Sequence, residues 1–198
     1  TDWYVSEVET GRRTNRGSQT EVHPDGDVLC ALLGRLFIPP SSEVIRRDVF
    51  DEVGYYDESD LHLTGEDWEF TLRVAARYPV GYVGHPLVEW RRHKKNKTKN
   101  MDLDSALKSH CAIIEKTFRR NPGLPDRIYK EALADRYTSF GRMWLNREER
   151  SRARELFKQA IIHEPTHWRA WVYGGATLLS RSVLCALGQL RTSYWQAA

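Results

Sequence analysis

The chain has 198 residues, of which 40% are hydrophobic and 29% are charged, and its formal net charge is +3. This composition is typical of a globular protein with one ordinary domain or two small ones. The small net charge argues against a dedicated nucleic-acid-binding protein, so no nucleic acid is expected among its partners. The three cysteines are too few and too far apart for a disulfide framework or a structural zinc site. We therefore predict a reducing compartment and a cytoplasmic location.

The first forty residues are predicted to alternate between short elements and turns. Alternating apolar residues predict a strand over residues 3–8, and composition predicts a loop over residues 11–18. Asp25-Gly26-Asp27 has the form of a metal-binding Asp-x-Asp motif, but its neighbours favour a turn. Residues 28–37 carry an apolar stripe at helical spacing, and Pro39-Pro40 ends it.

Two short elements and a turn come next. Residues 42–47 are predicted to form a strand, and residues 47–53 a short helix that Gly54 closes. The turn Tyr55-Tyr56-Asp57-Glu58 follows, and its aromatic rings suit either a pocket or the core.

The most clearly marked element is a helix that is expected to begin at Thr64 and to end before Pro79. Glu66 and Asp67 stand at its N-terminus, where two interpretations compete. Either both acids merely interact favourably with the helix dipole, or one of them is a general base that faces a substrate hydroxyl. As a base, Asp67 is expected to be ionised near pH 7, because the helix N-terminus lowers its pKa. The next residue, Trp68, offers its ring face to a sugar in one interpretation and belongs to the core in the other.

A pair of predicted strands and a basic run complete this part of the chain. The strands cover residues 80–84 and 87–90, and six cationic side chains lie within residues 91–99. The lysines of the run are predicted to form a solvated loop. A strand-end arginine suits a pyrophosphate and a neutral imidazole suits a divalent metal, which makes Arg91 and His93 candidate ligands.

From residue 101 onwards the pattern is helical. The predicted helices cover residues 103–118, 128–145, 150–163, 168–179 and 183–190. Seven residues are spaced as in one tetratricopeptide-like repeat, namely Tyr137, Gly141, Trp144, Ala153, Phe157, Ala160 and Pro165. One such repeat cannot bury its face alone. Trp168 and Trp171 are therefore predicted to open a degenerate second unit, and the alternative is a simple helical bundle. Either would suit docking of a protein partner or oligomerisation.

Residues 28–96 resemble the second half of the catalytic domain of a family 2 glycosyltransferase. The resemblance rests on the order and spacing of four features: the paired Arg46-Arg47, the Gly-Tyr-Tyr-Asp-Glu turn, the Glu66-Asp67 helix and the closing Arg91-Arg92-His93. It implies an α/β fold in which residues 1–100 form the acceptor-side half of a GT-A nucleotide-diphospho-sugar transferase domain. A helical bundle with one or two tetratricopeptide-like helix pairs then follows over residues 101–198. The nucleotide-binding half is expected to lie upstream of Thr1, so the fragment alone is expected to be inactive.

The resemblance also implies an activity and a set of residue roles. The family transfers a sugar from a nucleotide-sugar donor to the hydroxyl of a glycan or lipid-linked acceptor with inversion, as in cell-surface polysaccharide synthesis. Asp67 is then the catalytic base, Glu66 orients the site, and Trp68 and Arg91 bind substrate. His93 contributes to a divalent cation, Mn or Mg, which is held mainly by an Asp-x-Asp motif not present in this sequence.

Two features set limits to the resemblance. Processive members carry a Gln-x-x-Arg-Trp element and membrane helices, whereas here Trp90 precedes the arginines. The longest apolar stretch, residues 170–190, is broken by Arg181 and is too polar to cross a bilayer. This favours transfer of a single sugar by a protein associated peripherally with the inner membrane face.

Two other classes of function stay open. The first is a non-catalytic helical-repeat module for protein interaction, attached to a remnant domain. The second is a hydrolase that uses Glu66 and Asp67 as a carboxylate pair. Because neighbouring residues of a helix point about 100° apart, such a pair is poorly placed to flank one bond, and this alternative ranks last.

Overall fold

The computed structural model describes residues 2–8, 10–16, 25–34, 37–58, 64–92 and 101–179. These residues form seven α-helices and three strands, so the described fold is rich in helix with one small sheet, as an α+β protein is. The chain divides into two compact units, Thr1–Ala132 and Leu133–Ala198. Helix α5, Asp126–Asn146, contains the division. No helix within the described ranges is long and apolar enough to cross a membrane.

The sheet of the first unit has the strand order β2-β1-β3. The central strand β1, Asp2–Glu7, pairs antiparallel with β2, Arg13–Arg16, and parallel with β3, Pro86–Arg92. The strand predicted near the N-terminus is confirmed. The loop predicted over residues 11–18 is wrong in part, because backbone pairing with β1 makes a strand of a polar segment that has no strand pattern of its own.

Four helices accompany the sheet in the first unit. They are α1, Leu29–Gly34; α2, Arg47–Val53; α3, Glu66–Ala75; and α4, Leu103–Arg120. Each overlaps a predicted helix, and Gly54 closes α2 with a φ of 78°, as its position after the last apolar residue predicted.

Two predicted strands are not formed. Residues 40–42 make a 3-10 turn, and the chain then runs extended from Glu43 to Arg46 without pairing to any described strand. Val44 is fully exposed there, so its β-branched side chain finds no sheet to pack on. Of the predicted strand at residues 80–84, only Val80 pairs, in an isolated bridge to Gly26.

Gly26 of the Asp25-Gly26-Asp27 segment forms the isolated bridge to Val80. Asp25 Oδ1 accepts a hydrogen bond from the Tyr82 amide at 2.9 Å, and Asp27 Oδ1 accepts one from the Leu29 amide at 3.3 Å, at the start of α1. Gly26 has a φ of 86°, which favours glycine. The two carboxylates thus each accept a hydrogen bond from a backbone amide.

Helix α3 lies at the centre of the first unit, packed against α1, α2 and α4. Its fully buried side chains Trp68, Phe70 and Leu72 are among the largest of the core. Burying a large apolar side chain stabilises a fold by about 1.5 to 3 kcal/mol. The Trp68 Nε1 donates a hydrogen bond of 2.9 Å to the carbonyl oxygen of Leu32 in α1, which satisfies the only polar atom of the indole.

The second unit contains the end of α5 together with α6, Arg150–His163, and α7, Trp168–Ala176. Gly141 of α5 lies against the ring of Phe157 in α6, where an added Cβ would come within 2.7 Å of the ring. Ala153, Phe157 and Ala160 are buried, as the repeat spacing predicted. The predicted helix over residues 183–190 falls outside the described residues. The residues just before the predicted domain boundary near residue 100 are also outside the described ranges. Helix α4, which was predicted to belong to the helical part, lies in the first unit.

Candidate functional site

The N-terminus of α3 is shaped by a glycine. Gly65 precedes the helix with a φ of 103°, and a Cβ at this position would lie 3.1 Å from Ile113 Cδ1 and 3.3 Å from His110 Nε2, both on α4. Its amide donates to the carboxylate of Glu66 at 3.1 Å. The predicted N-cap, Thr64, is therefore wrong by one residue, because close packing on α4 requires a residue with no side chain at the cap.

Asp67 occupies the first turn of α3 and is half-buried. Its Oδ1 accepts a hydrogen bond from the Trp68 amide at 2.7 Å. Burial raises the pKa of Asp67 above its ordinary value, and the neighbouring charge of Glu66 raises it further, although the Trp68 hydrogen bond opposes both. The expectation that the helix dipole would lower this pKa is wrong, because desolvation outweighs it. The result is a carboxylate of increased basicity.

Glu43 is a second carboxyl group of this site, and sequence analysis missed it. Its Oε1 lies 2.9 Å from the hydroxyl of Thr71, one helical turn beyond Asp67. The same hydroxyl lies 2.9 Å from the carbonyl oxygen of Asp67. Burial raises the pKa of Glu43 to about 7; the hydrogen bond from Thr71 opposes this rise, and the charge of Asp67 adds to it. Only tertiary contact reveals this residue, because nothing in the periodicity around it distinguishes it from a surface acid.

The Thr71 hydroxyl has one hydrogen and two acceptors within reach. When Glu43 is protonated, it can donate to Thr71 Oγ1 while Thr71 donates to the Asp67 carbonyl, so every polar atom is satisfied. When Glu43 is ionised, one of the two acceptors loses its hydrogen. A hydrogen bond from Thr71 to the ionised Glu43 lowers its pKa, and the larger effect of burial raises it.

Tyr56 completes the group that we call the carboxyl cluster, namely Glu43, Tyr56, Glu66 and Asp67. Its ring packs on Phe70 at a centroid distance of 4.6 Å, and part of it is exposed. Burial raises the pKa of the phenol, and the charges of the three carboxylates add to this effect. Three acids and a phenol thus share one electrostatic environment at the beginning of α3, which is typical of functional sites.

Trp68 belongs to the core. Its side chain is fully buried, and its ring packs on His110 at a centroid distance of 5.0 Å. The prediction that it offers its face to a sugar is corrected for this reason. Its contribution to the site is indirect, since the hydrogen bond to Leu32 holds the first turn of α3 against α1.

Two further ligands were predicted, Arg91 and His93. Arg91 is exposed on β3, in register with Ser6 of β1. His93 lies outside the described residues, so its predicted metal role stays a prediction. Among the side chains that the structure describes, no group of three or more His, Cys, Asp or Glu residues is placed to hold a metal ion.

Two cavities adjoin the carboxyl cluster. One of about 510 Å³ is lined by Glu66 and by residues of α4. The other, of about 420 Å³, is mainly apolar and is lined by Glu43 and Thr71. Both volumes fall in the range of about 300 to 1,000 Å³ that small-molecule sites occupy. Two members of the cluster, Glu66 and Glu43, thus each line a space large enough for ligand groups.

Comparison of the chain with protein-family models, curated proteins and solved structures finds no significant match. The carboxyl cluster and its surroundings are therefore the basis for a proposed function.

Proposed function

We propose that the first unit is the acceptor-side half of an inverting glycosyltransferase of the family 2, GT-A type, with Asp67 as its general base. One observation carries the proposal: a half-buried aspartate of raised pKa lies in the first turn of α3, next to Glu66, whose side chain lines a cavity of about 510 Å³. The donor would be a nucleotide-sugar and the acceptor the hydroxyl of a glycan or lipid-linked glycan. Such a protein would work in the cytoplasm, at the inner membrane face.

In the proposed reaction Asp67 accepts the proton of the acceptor hydroxyl. The hydroxyl oxygen forms a bond to the anomeric carbon while the bond from that carbon to the nucleoside diphosphate breaks on the opposite side, which inverts the centre. A general base is most effective when its pKa approaches the working pH. The raised pKa of Asp67 therefore suits the role better than the ordinary value of 3.8 would.

The other members of the cluster would support this step. Glu66 lines the larger cavity and accepts the Gly65 amide, so its carboxylate is positioned to receive acceptor hydroxyls. Glu43 raises the pKa of Tyr56, and Asp67 in turn raises that of Glu43. Trp68 is a positioning residue, because it anchors the turn that carries Asp67.

The departing diphosphate requires positive charge, which the carboxyl cluster cannot supply. A divalent cation, Mn or Mg, would neutralise the departing diphosphate when bound. In this proposal an Asp-x-Asp motif outside this sequence holds most of it, with Arg91 and His93 as contributors.

The test is replacement of Asp67 by asparagine in a protein that also contains the nucleotide-binding half. Turnover, measured as release of nucleoside diphosphate across a panel of nucleotide-sugars, should fall about 100- to 10,000-fold. Donor affinity should not change, because asparagine keeps the size of the side chain. Asp51→Asn is the matched control, since Asp51 is exposed on α2. Turnover of Asp67→Asn within threefold of the parent would remove Asp67 from the role.

A second candidate function is a helical-repeat module for protein interaction, and the second unit carries the observation that favours it. Trp168, Trp171 and Val172 of α7 are exposed by 62%, 58% and 52%. They are three and four residues apart, so they share one face of the helix. Repeat proteins cover such a face with a neighbouring helix, and an amphipathic helix of a partner fits the same spacing.

Sedimentation velocity over a range of concentrations tests this second function for the case in which the partner is another copy of the chain. We expect self-association that Trp168→Ser weakens and that Ser139→Ala, an exposed change on α5, leaves unchanged. A chain that stays monomeric at every concentration would exclude self-docking through α7.

A further inference from the structure

The cavity of about 510 Å³ in the first unit has walls of unlike chemistry. One wall is formed by Asp57, which follows α2, and by Glu66 and Glu69 of α3. The other is a single face of α4, where Lys116, Arg119 and Arg120 follow one another at helical spacing. Ala112 and Ile113 of α4 line the apolar part between the charges.

Most of these charges already have partners. Glu69 is only 4% exposed, and its carboxylate is held by Arg73 at 2.9 Å and by Arg120 at 2.6 Å, with Lys116 at 3.5 Å. Lys116 also pairs with Asp57. The buried carboxylate is therefore compensated from both helices, which joins α3 to α4 and gives the cavity rigid walls.

Arg119 is the exception. It lines the cavity and makes no hydrogen bond, ion pair or ring contact with another residue that the structure describes. A guanidinium group offers five donors in a planar arrangement that matches carboxylate and phosphate. Across the cavity, the carboxylate of Glu66 can accept hydrogen bonds from hydroxyl groups. The cavity thus provides one uncommitted cation, one hydrogen-bond acceptor and an apolar contact.

We propose that this cavity binds an acidic sugar unit of the acceptor, an inference that rests on the transferase function proposed above. The anionic group of the sugar, a carboxylate or a phosphate, pairs with Arg119, its hydroxyls donate to Glu66, and its C–H face packs on Ile113. A bare anion would meet the negative charge of Glu66 without the compensation of hydroxyl donors. A neutral sugar would leave Arg119 without a partner. Only a ligand with both an anionic group and hydroxyls uses both walls.

Ligand-observed NMR on the 198-residue chain tests the assignment without any need for turnover. The probes are glucuronate, glucose 6-phosphate, glucose and inorganic phosphate, all at low ionic strength. We expect the acidic sugars to bind about tenfold more tightly than glucose, because a hydrogen bond to a charged group is stronger than one between neutral groups. Whether glucuronate or glucose 6-phosphate binds better distinguishes a carboxylate from a phosphate as the natural group.

Arg119→Gln should reduce this preference for the acidic sugars to less than about twofold, because it removes the charge that makes the difference. Arg127→Gln is the matched control, since Arg127 is an exposed arginine of the same unit that pairs with Glu131 outside the cavity. Equal binding of glucose and glucuronate, or inorganic phosphate binding as tightly as glucose 6-phosphate, would overturn the assignment. Neither result depends on Asp67, whereas loss of the transferase proposal through Asp67→Asn would leave these affinities as measured.

Discussion

The pKa of about 7 at Glu43 makes the stability of the first unit depend on pH in a way that one substitution should remove. A carboxyl group whose pKa is higher in the folded than in the unfolded chain does not lower the free energy of unfolding at a pH where it is protonated in both states. The cost appears as pH rises above the unfolded value near 4.5 and is complete above about 7. Glu43→Gln keeps the shape and hydrogen-bonding capacity of the side chain but cannot ionise.

The structure sets the size of the effect. A displacement of the pKa from 4.5 to about 7 corresponds to about 3 kcal/mol, since each tenfold change is about 1.4 kcal/mol. Because Glu43 keeps part of its surface in water, we expect about 2 kcal/mol. The free energy of unfolding of Glu43→Gln, relative to the unsubstituted chain, should therefore be higher by about this amount at pH 8 than at pH 5.

Urea unfolding at pH 5 and at pH 8, followed by tryptophan fluorescence, measures this difference. Contributions from other titrating groups such as His163, whose pKa is lowered by burial, are common to both chains and cancel in the comparison. Glu115→Gln is the control, since Glu115 is exposed on α4. If the free energy of unfolding changes by the same amount for Glu43→Gln and for the unsubstituted chain between the two pH values, the pKa of Glu43 is not raised in the folded protein.

The remaining predictions concern Asp67 and two glycines. Asp67 must be ionised to act as a base, and its pKa is raised above 3.8. Turnover of the protein that also contains the nucleotide-binding half should therefore fall as pH is lowered through this pKa. A pH–rate profile with no fall on the acid side would contradict this prediction. Gly65→Ala should lower the free energy of unfolding by about 1 to 3 kcal/mol, because the new side chain would strain the backbone and crowd α4. Gly81→Ala is the control, since an added Cβ there meets no atom within 4 Å, and it should lower the free energy of unfolding by about 0.5 kcal/mol or less. Gly141→Ala should cost about 1 to 3 kcal/mol by overpacking, and thermal unfolding should show no comparable loss for Gly175→Ala.

The helices were predictable because their signals are local. Residues 150–163 were predicted as a helix and form α6 over the same range, because apolar spacing and a following proline mark both the face and the end. The same holds for α2, which Gly54 closes. The buried positions of Ala153 and Phe157 followed from spacing alone.

The sheet and the chemistry of the site were less predictable because they depend on distant partners. Strand β2 consists of polar residues that pair only because β1 lies beside them. The apolar residues at 42–47 lack such a partner, so they stay unpaired. Asp67 was found from its place at a helix start, but the direction of its pKa shift depends on burial by other elements. Glu43 lies 28 positions before Thr71, and no local pattern connects them.

The hydroxyl of Thr71 can rotate between two acceptors, the carboxylate of Glu43 and the carbonyl oxygen of Asp67. As pH rises through the pKa of Glu43, the hydroxyl hydrogen is drawn from the Asp67 carbonyl to the newly charged carboxylate, a rotation about a single bond. The peptide oxygen of Asp67 then keeps only its backbone helical partner. One hydroxyl group thus connects the carboxylate of Glu43 to the main chain of the residue proposed to perform the chemistry.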